Sequence, residues 1–291
     1  LAPLTGLLAD AQAGGYAVGY FEAWDGYSLE AVVEAAEAER APVILGFGCL
    51  LVDGAWLDAG GIEMLGSLGR RAAETASVPA ALLLNEAQTL DQARLGIEAG
   101  FNAVMLCGSE TQLLARLVDE AHERGVAVEG ELGTLGEGGV SGRIDTSSAV
   151  FTDPEEAASF VAATGVDCLA VSIGNVHTLE GRRAPVDLDR LESVHRRVGV
   201  PLVVHGGTSF PPDAVPEAIA RGVAKLNVGT ILKRAFLDGL IEAVAAAPPG
   251  ASPHDLLGSH GSSDLLAAAK PRMVETVRGL IRLYGGSGRA A

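Results

Sequence analysis

Two histidines directly follow apolar, strand-like runs of the sequence. His205 ends the apolar part of VPLVVHGGTS, residues 200–209, and His177 ends DCLAVSIGNVH, residues 167–177. Such apolar runs are typical of parallel strands buried on both faces, and parallel strands carry their C-terminal residues to one edge of a sheet. Two imidazoles at that edge are candidate ligands of a divalent metal; two ordinary polar residues at strand ends are the alternative.

Carboxylates at the ends of other strand-like runs favour the metal hypothesis. Glu86 follows PAALLL and Asn85, and Glu131 ends VAVEGE. Two imidazoles and a carboxylate, with one coordination position open, suit a metal that acts as a Lewis acid. Glu137 lies in the glycine-rich stretch GTLGEGGVSGRIDTSSAV, residues 133–150, which has no core pattern. This predicts a mobile active-site loop with Glu137 as proton carrier; a solvated loop glutamate is the alternative.

Two short segments rich in glycine and hydroxyl groups are candidate anion-binding loops. They read GGTS at residues 206–209 and NVGT at residues 227–230. In barrels of alternating strands and helices, the loops after the seventh and eighth strands often bind phosphate. Plain turn chemistry is the alternative for each segment on its own.

Strand and helix patterns alternate along the whole chain, which predicts an α/β fold. A (β/α)8 barrel, also called a TIM barrel, brings polar residues from at least five strand ends onto one face, whereas a doubly wound sheet would spread them. We therefore predict a single domain over residues 1–291, with a C-terminal helical extension at about 232–284 and a flexible tail. Ser28 is the predicted N-cap of the first helix, and the last helix is predicted from Pro271 to Tyr284. The predicted strands are Tyr16–Tyr20, Pro42–Phe47, Pro79–Leu84, Ala103–Cys107, Val126–Glu131, Cys168–Ser172, Leu202–Val204 and Ala224–Asn227.

Composition narrows the classes of partner. The 291 residues carry a formal net charge of −16, which argues against a nucleic-acid groove or an anionic membrane surface. Three scattered cysteines form no CxxC pair, and no apolar run reaches the ~18 residues of a membrane span. We expect a cytoplasmic protein with a small-molecule substrate.

The sequence resembles the class II, metal-dependent ketose-bisphosphate aldolases, which include the fructose- and tagatose-bisphosphate aldolases. The resemblance covers almost the whole chain. It is carried by the segments SLEAVVEAAEAERAPVI, AGFNAVMLCGSE, AHERGVAVEGELGTLGEGG, FTDPEEAASFVAATGVDCLAVSIGNVH, PLVVHGGTS, GVAKLNVGT and KPRMVETVRGLIRLYGGSGRA. It implies a zinc-dependent barrel that cleaves a ketose phosphate by a retro-aldol reaction, with Zn2+ or another divalent metal as cofactor, and assembly as a homodimer or homotetramer.

The resemblance also implies roles for individual residues. His177 and His205 match two metal ligands, and Glu131 matches a glutamate near the metal. The remaining matches are to substrate-binding positions: Gly174, Gly206, Gly207, Thr208, Asn227 and Thr230.

The sequence departs from the family around the ligand. Where the family has Asp-His after the third strand, this chain has Asn85 and Glu86. The family's aspartate handles the proton of the cleaved hydroxyl, which an amide cannot do, and its histidine is the third metal ligand, a role that Glu86 can take over. Asn85 would then bind the substrate hydroxyl while Glu137 or a water moves the proton.

Two further departures concern the substrate's surroundings. After the sixth strand, HTLEGRR replaces the family's lysine-containing segment, so Arg182, or alternatively Arg183, is a candidate phosphate ligand. Near the start, FEAW at residues 21–24 replaces a Phe-Asn-Val-like turn and predicts the Trp24 indole at the pocket mouth.

The leading hypothesis is a metal-dependent, class II aldolase-like lyase that acts on a ketose phosphate or a related keto-sugar. A sugar epimerase or isomerase on the same scaffold would keep the metal and change the reaction. A catalytically inactive sugar-phosphate-binding homologue is the third reading, motivated by the loss of the Asp-His pair.

Overall fold

Eight parallel strands close into a barrel. The computed structural model describes residues 1–108, 110–138, 144–145, 147, 149–177 and 183–290. The closed barrel runs in the order β1-β2-β3-β4-β5-β8-β10-β11, with β11 pairing back onto β1. A separate three-stranded sheet, β7-β6-β9, lies among the connections. The strands are β1 (Val18–Glu22), β2 (Val43–Gly48), β3 (Ala80–Ala87), β4 (Ala103–Leu106), β5 (Ala127–Leu132), β6 (Gly136–Gly138), β7 (Ile144–Asp145), β8 (Cys168–Val171), β9 (Val176–His177), β10 (Leu202–Val204) and β11 (Val223–Val228).

Helices follow the barrel strands and form the outer layer. The described helices are α1 (Leu4–Gly14), α2 (Gly26–Glu39), α3 (Gly54–Trp56), α4 (Ile62–Thr75), α5 (Leu90–Glu98), α6 (Thr111–His122), α7 (Pro154–Thr164), α8 (Leu188–His195), α9 (Val215–Ala220), α10 (Thr230–Ala246), α11 (Pro253–Leu256) and α12 (Leu265–Leu283). A π-helical turn, Leu57–Gly61, precedes α4, and a 3-10 turn, Pro212–Ala214, precedes α9. None of the helices in these ranges is long and apolar enough to cross a membrane.

The core has two layers, as the barrel prediction requires. Inside the barrel, buried side chains such as Ile44, Leu83 and Val203 pack together with Leu4 and Leu8 of α1, so α1 covers the inner layer at one end. A larger apolar layer fills the space between the strands and the outer helices. The predicted (β/α)8 barrel is therefore confirmed, with strand ends within three residues of the predicted ones.

Several local predictions need correction. Asp25, not Ser28, caps α2: the Asp25 carboxylate accepts from the Ser28 amide while the Ser28 hydroxyl accepts from the Asp25 amide, a reciprocal capping box. The last helix begins at Leu265, where Asp264 is the N-cap, and continues through Pro271.

Backbone hydrogen bonds join residues 136–138 of the glycine-rich stretch, and the end of the chain, to neighbouring elements. Residues 136–138 pair with both β7 and β9. Residues 285–290, for which the sequence predicted a flexible tail, lie against the end of α2 through amide hydrogen bonds from Gly288 and Ala290 to the carbonyls of Glu39 and Arg40.

Candidate active site

Glu86, His177 and His205 come together at the C-terminal ends of the strands. Each offers one donor atom, and the three atoms lie within 4.8 Å of one another. Two imidazole nitrogens and a carboxylate oxygen are donors that zinc accepts, so the residues present fit a divalent metal ion. Among the described residues, no other set of three or more His, Cys, Asp or Glu side chains meets this criterion.

The backbone of β3 is bent to point Glu86 at the histidines. The register between β3 and β4 shifts between Leu84 and Ala87, which marks a bulge. Within that bulge Glu86 has a φ of 58°, in the left-handed region that a residue with a side chain seldom adopts. Backbone strain of this kind persists where the surrounding structure enforces it, and such residues cluster at functional sites.

The His205 ring is held between two carboxylates. Its Nδ1 atom lies 3.4 Å from Oε1 of Glu86, and its Nε2 atom lies 2.8 Å from Oε1 of Glu129. The other Glu129 oxygen accepts from Nζ of Lys225 at 2.7 Å, and Lys225 also donates to Oδ1 of Asn227 at 2.5 Å. Because Nε2 faces the buried carboxylate, Nδ1 is the nitrogen that faces the cluster.

The charges in this cluster shift the pKa values of its members. Burial opposes the charge on His205, but hydrogen bonds to Glu129 and Glu86 outweigh it and raise the pKa of the imidazole to about 10. Burial alone would also raise the pKa of Glu86, yet the hydrogen bond and positive charge of His205 hold it below its ordinary value. The pKa of His177 is lowered by burial and by the neighbouring His205. His177 is therefore ready to act as a neutral ligand.

A cavity of about 280 Å³ opens over these three side chains. Asn85, Asn227 and Glu137 also line it, so the two predicted catalytic residues, Asn85 and Glu137, border the same cavity as the cluster. Glu137 is exposed and lies opposite His177 in the pairing of β6 with β9. Of the two predicted anion-binding loops, Gly206, Thr208 and all of residues 227–230 line the cavity.

Other predicted site residues lie outside the cluster or outside the cavity. Glu131 is not among the three clustered donors; its Oε1 atom is buried without a hydrogen-bond partner, and burial raises the pKa of its carboxyl. Gly174 and Gly207 do not line the cavity. Gly174 packs against the backbone of Pro185, and Gly207 packs against the backbone of Asn227. Their tight packing explains why glycine is needed there.

Two predictions concerned side chains around the pocket mouth. Arg182 falls outside the described residues. The Arg183 guanidinium donates to the Thr208 carbonyl oxygen at 3.2 Å and does not line the cavity. Trp24 also does not line the cavity, because its indole packs edge-on against Phe236 with 5.4 Å between ring centroids; the predicted indole at the pocket mouth is wrong.

Sequence reasoning missed two charged pairs around the site, of which only the first is fully buried. Glu129 and Lys225 lie inside strands, 96 residues apart, and only the closed barrel brings them together. Glu22 lines the cavity at the end of β1 and accepts from Nζ of Lys233 at 2.5 Å. The altered turn at residues 21–24 was a sequence signal that could have pointed to Glu22, but no sequence pattern indicated Lys233.

A closed parallel barrel whose strand ends unite two imidazoles and a carboxylate has the arrangement of a metal-dependent barrel enzyme. The family model for class-II fructose-bisphosphate aldolases matches residues 2–289. The chain is 32% identical over 293 residues to a fructose-bisphosphate aldolase of Geobacillus stearothermophilus, a match that covers 98% of this chain and 97% of that protein. The crystal structure of the YdjI aldolase from Escherichia coli K12 is 27% identical, with a TM-score of 0.81 and coverage of 100% of this chain and 99% of that one. This chain belongs to the class-II fructose-bisphosphate aldolase family.

Proposed function

We propose that this protein catalyses the metal-dependent, reversible aldol cleavage of a ketose phosphate or a related keto-sugar. The observation that carries the proposal is the convergence of Glu86, His177 and His205 beneath an open cavity, in a member of a family that is generally dependent on a divalent metal. The replacement of the family's Asp-His pair by Asn85 and Glu86 therefore alters the site without removing its three donors.

Glu86, His177 and His205 would hold the ion, with zinc as the expected metal, and His205 would release a proton on binding it. When bound, the metal supplies Lewis-acid polarisation of the substrate carbonyl. Glu129 and Lys225 fix the orientation of the His205 ring from behind. Glu131 lies two residues after Glu129 in β5. It would contribute negative charge beside the ligands rather than a fourth equivalent donor.

The chain's polar side chains would orient the substrate and move the proton. Asn227 and Asn85 lie side by side, with Nδ2 of Asn227 3.5 Å from Oδ1 of Asn85. Both amides line the cavity and can bind substrate hydroxyl groups, but neither can exchange a proton at neutral pH. Glu137 is the exposed carboxylate at the rim, so we assign it the proton transfer, directly or through a water.

The two glycine- and hydroxyl-rich loops would position one end of the substrate. Gly206, Thr208 and Thr230 line the cavity at the ends of β10 and β11. Gly174 and Gly207 would contribute by keeping the backbone beneath these loops close-packed. Arg182 falls outside the described residues and stays a prediction as a phosphate ligand.

The test is cleavage of ketoses by the zinc-loaded protein, with the carbonyl products identified by mass spectrometry. We expect turnover that is lost on chelation, restored by zinc, and lowered about 10²-fold or more in kcat by Glu137→Gln, the scale of one general acid–base group. Glu155→Gln, a change at an exposed carboxylate on α7, is the matched control and should leave kcat unchanged.

The products also separate the alternatives. Interconversion of sugars without loss of chain length would favour an epimerase or isomerase. Ligand binding without turnover, seen as a thermal shift, would favour an inactive binding homologue. Either result would overturn the proposed aldol cleavage.

The proposal also covers the cellular compartment and the oligomeric state. The three cysteines, Cys49, Cys107 and Cys168, are free thiols, which agrees with a reducing cytoplasm. Assembly as a homodimer or homotetramer rests on the family resemblance, and light scattering of the purified protein would test it.

A further inference from the structure

The end of the cavity at the β11–α10 turn already contains a carboxylate. Glu22 lines the cavity, and a Cβ atom added to Gly229 would collide with its Oε2 atom. A Cβ added to Gly48 would lie 3.4 Å from the Glu22 carboxyl group and 3.7 Å from Oε2 of Glu86. Glu22 therefore lies beside the start of α10 and on the same side of the cavity as Glu86 of the cluster.

This carboxylate lies where a barrel commonly binds a phosphate group. The amides that open a helix attract anions, and phosphate sites in barrels use the loop after the eighth strand and a helix N-terminus. Gly229 is the N-cap of the 17-residue helix α10 and brings no side chain to cap it. Glu22 supplies an anion beside that N-cap, and Lys233 in the first turns of α10 neutralises it through Oε1.

The rest of the described cavity wall offers no lysine or arginine to a phosphate. The titratable side chains among the described lining residues are Tyr20, Glu22, Glu86, Glu137, His177 and His205, and none of these residues is lysine or arginine. Lys233 is already paired with Glu22. A phosphate group placed beside Gly229 would therefore face a fixed carboxylate, whereas a hydroxyl group could donate a hydrogen bond to it.

We propose that Glu22 is a specificity-determining residue, which makes the β11–α10 end of the cavity bind the hydroxyl-bearing, unphosphorylated end of a ketose. This inference rests on the proposed function, because it names the substrate class for the same cavity. This arrangement also requires glycine at position 229, because any larger residue would displace the Glu22 carboxylate.

The test compares dihydroxyacetone with dihydroxyacetone phosphate, two probes that differ by one phosphate group. Binding of each to the zinc-loaded protein is measured by titration calorimetry. We expect the wild-type protein to bind the phosphate ester no more tightly than the free triose. Glu22→Gln should bind the ester at least about tenfold more tightly than the wild type, because it removes the carboxylate charge and releases Lys233.

Two further variants make the comparison specific. Glu22→Asn shortens the side chain as well as neutralising it, and it should shift the preference in the same direction. Glu242→Gln removes an exposed partner of Arg272 and should leave both affinities unchanged. Thermal unfolding of each variant checks that it is folded.

Tighter binding of the ester than of the triose by the wild type would overturn the inference. So would an unchanged preference in Glu22→Gln, or binding of neither probe by the wild-type protein. Because the readout is binding, the predicted preference without ketose cleavage would leave Glu22 as the specificity residue and sink only the proposed reaction.

Discussion

Nζ of Lys225 lies 2.7 Å from a carboxylate oxygen of Glu129 in the middle of the barrel, and neither side chain is exposed to solvent. The second Glu129 oxygen faces His205, whose other ring nitrogen faces Glu86. A line of charged groups thus connects the closed interior with the open cavity. Because each group holds the next in place, the buried Glu129–Lys225 pair positions His205, a candidate metal ligand, without being part of the metal site.

Lys225→Met should be strongly destabilising, since it leaves the Glu129 carboxylate buried without its cation. Breaking one partner of a buried pair costs about 3–5 kcal/mol of unfolding free energy. Urea-induced unfolding followed by circular dichroism measures the change, and Glu129→Gln combined with Lys225→Met should recover part of it. Lys270→Met, which removes a cation from Glu30 and Glu34 near the surface, is the control and should cost about 1 kcal/mol or less. Equal losses in the two lysine variants would contradict this account.

Gly206→Ala should disturb His177 although it changes a different loop. Gly206 has a φ of 69°, and a Cβ atom there would collide with the carbonyl oxygen of Val176, the residue next to His177 in β9. The strained backbone costs about 1–3 kcal/mol, and relief requires β9 to move. We expect a lower unfolding temperature together with weaker zinc binding, measured by competition with a chelating dye. Gly199→Ala, where a Cβ meets open space, is the matched control; zinc affinity equal to that of the wild type in Gly206→Ala would show that β9 does not move.

Acid should release the contact between the chain end and α2. Glu39 accepts hydrogen bonds from Arg282, Arg278 and Ser287; the bond from Arg282 is the largest cause of its lowered pKa, which lies at about 2. A carboxyl group whose pKa is depressed on folding contributes stability above its ordinary value of 4.5 and loses it as the pH falls toward about 2. The difference in unfolding temperature between the wild type and Glu39→Gln should therefore be largest near pH 7 and shrink steadily below pH 4.5. A difference that stays constant down to pH 3 would show that the charge of Glu39 does not matter.

The barrel could be predicted from sequence because the patterns that indicate its strands and helices are local. Each strand is a short apolar run with its own helix, and polar residues at strand ends point to one face whatever the exact register. Helix α1 was missed because LTGLLADAQAG begins without a side-chain cap and Pro3 stands at its N-cap position. The strand ends differed by up to three residues since ladder pairing, which the sequence does not display, decides where a strand stops.

The candidate site was predictable only in part, for the same reason. His177, His205 and Glu86 could be singled out as residues that follow apolar runs, and the structure does bring them together. Glu129 lies inside β5 and Lys225 inside β11, three strands further along the barrel order, and the two meet only because the barrel closes, so no local pattern pairs them. The left-handed backbone at Glu86 and the contact of Glu22 with Gly229 are likewise products of packing.

The most direct test of the central claim, that Glu86 replaces a histidine as a metal ligand, is the zinc content of the purified protein. Protein loaded with zinc and then desalted is analysed by inductively coupled plasma mass spectrometry, for the wild type, Glu86→Ala and the control Glu242→Gln. We predict about one tightly held zinc per chain in the wild type and the control, and less than about a tenth of that in Glu86→Ala, because two histidines alone leave the site short of donors. Full zinc occupancy in a folded Glu86→Ala protein, or no zinc in the wild type after loading, would contradict the claim.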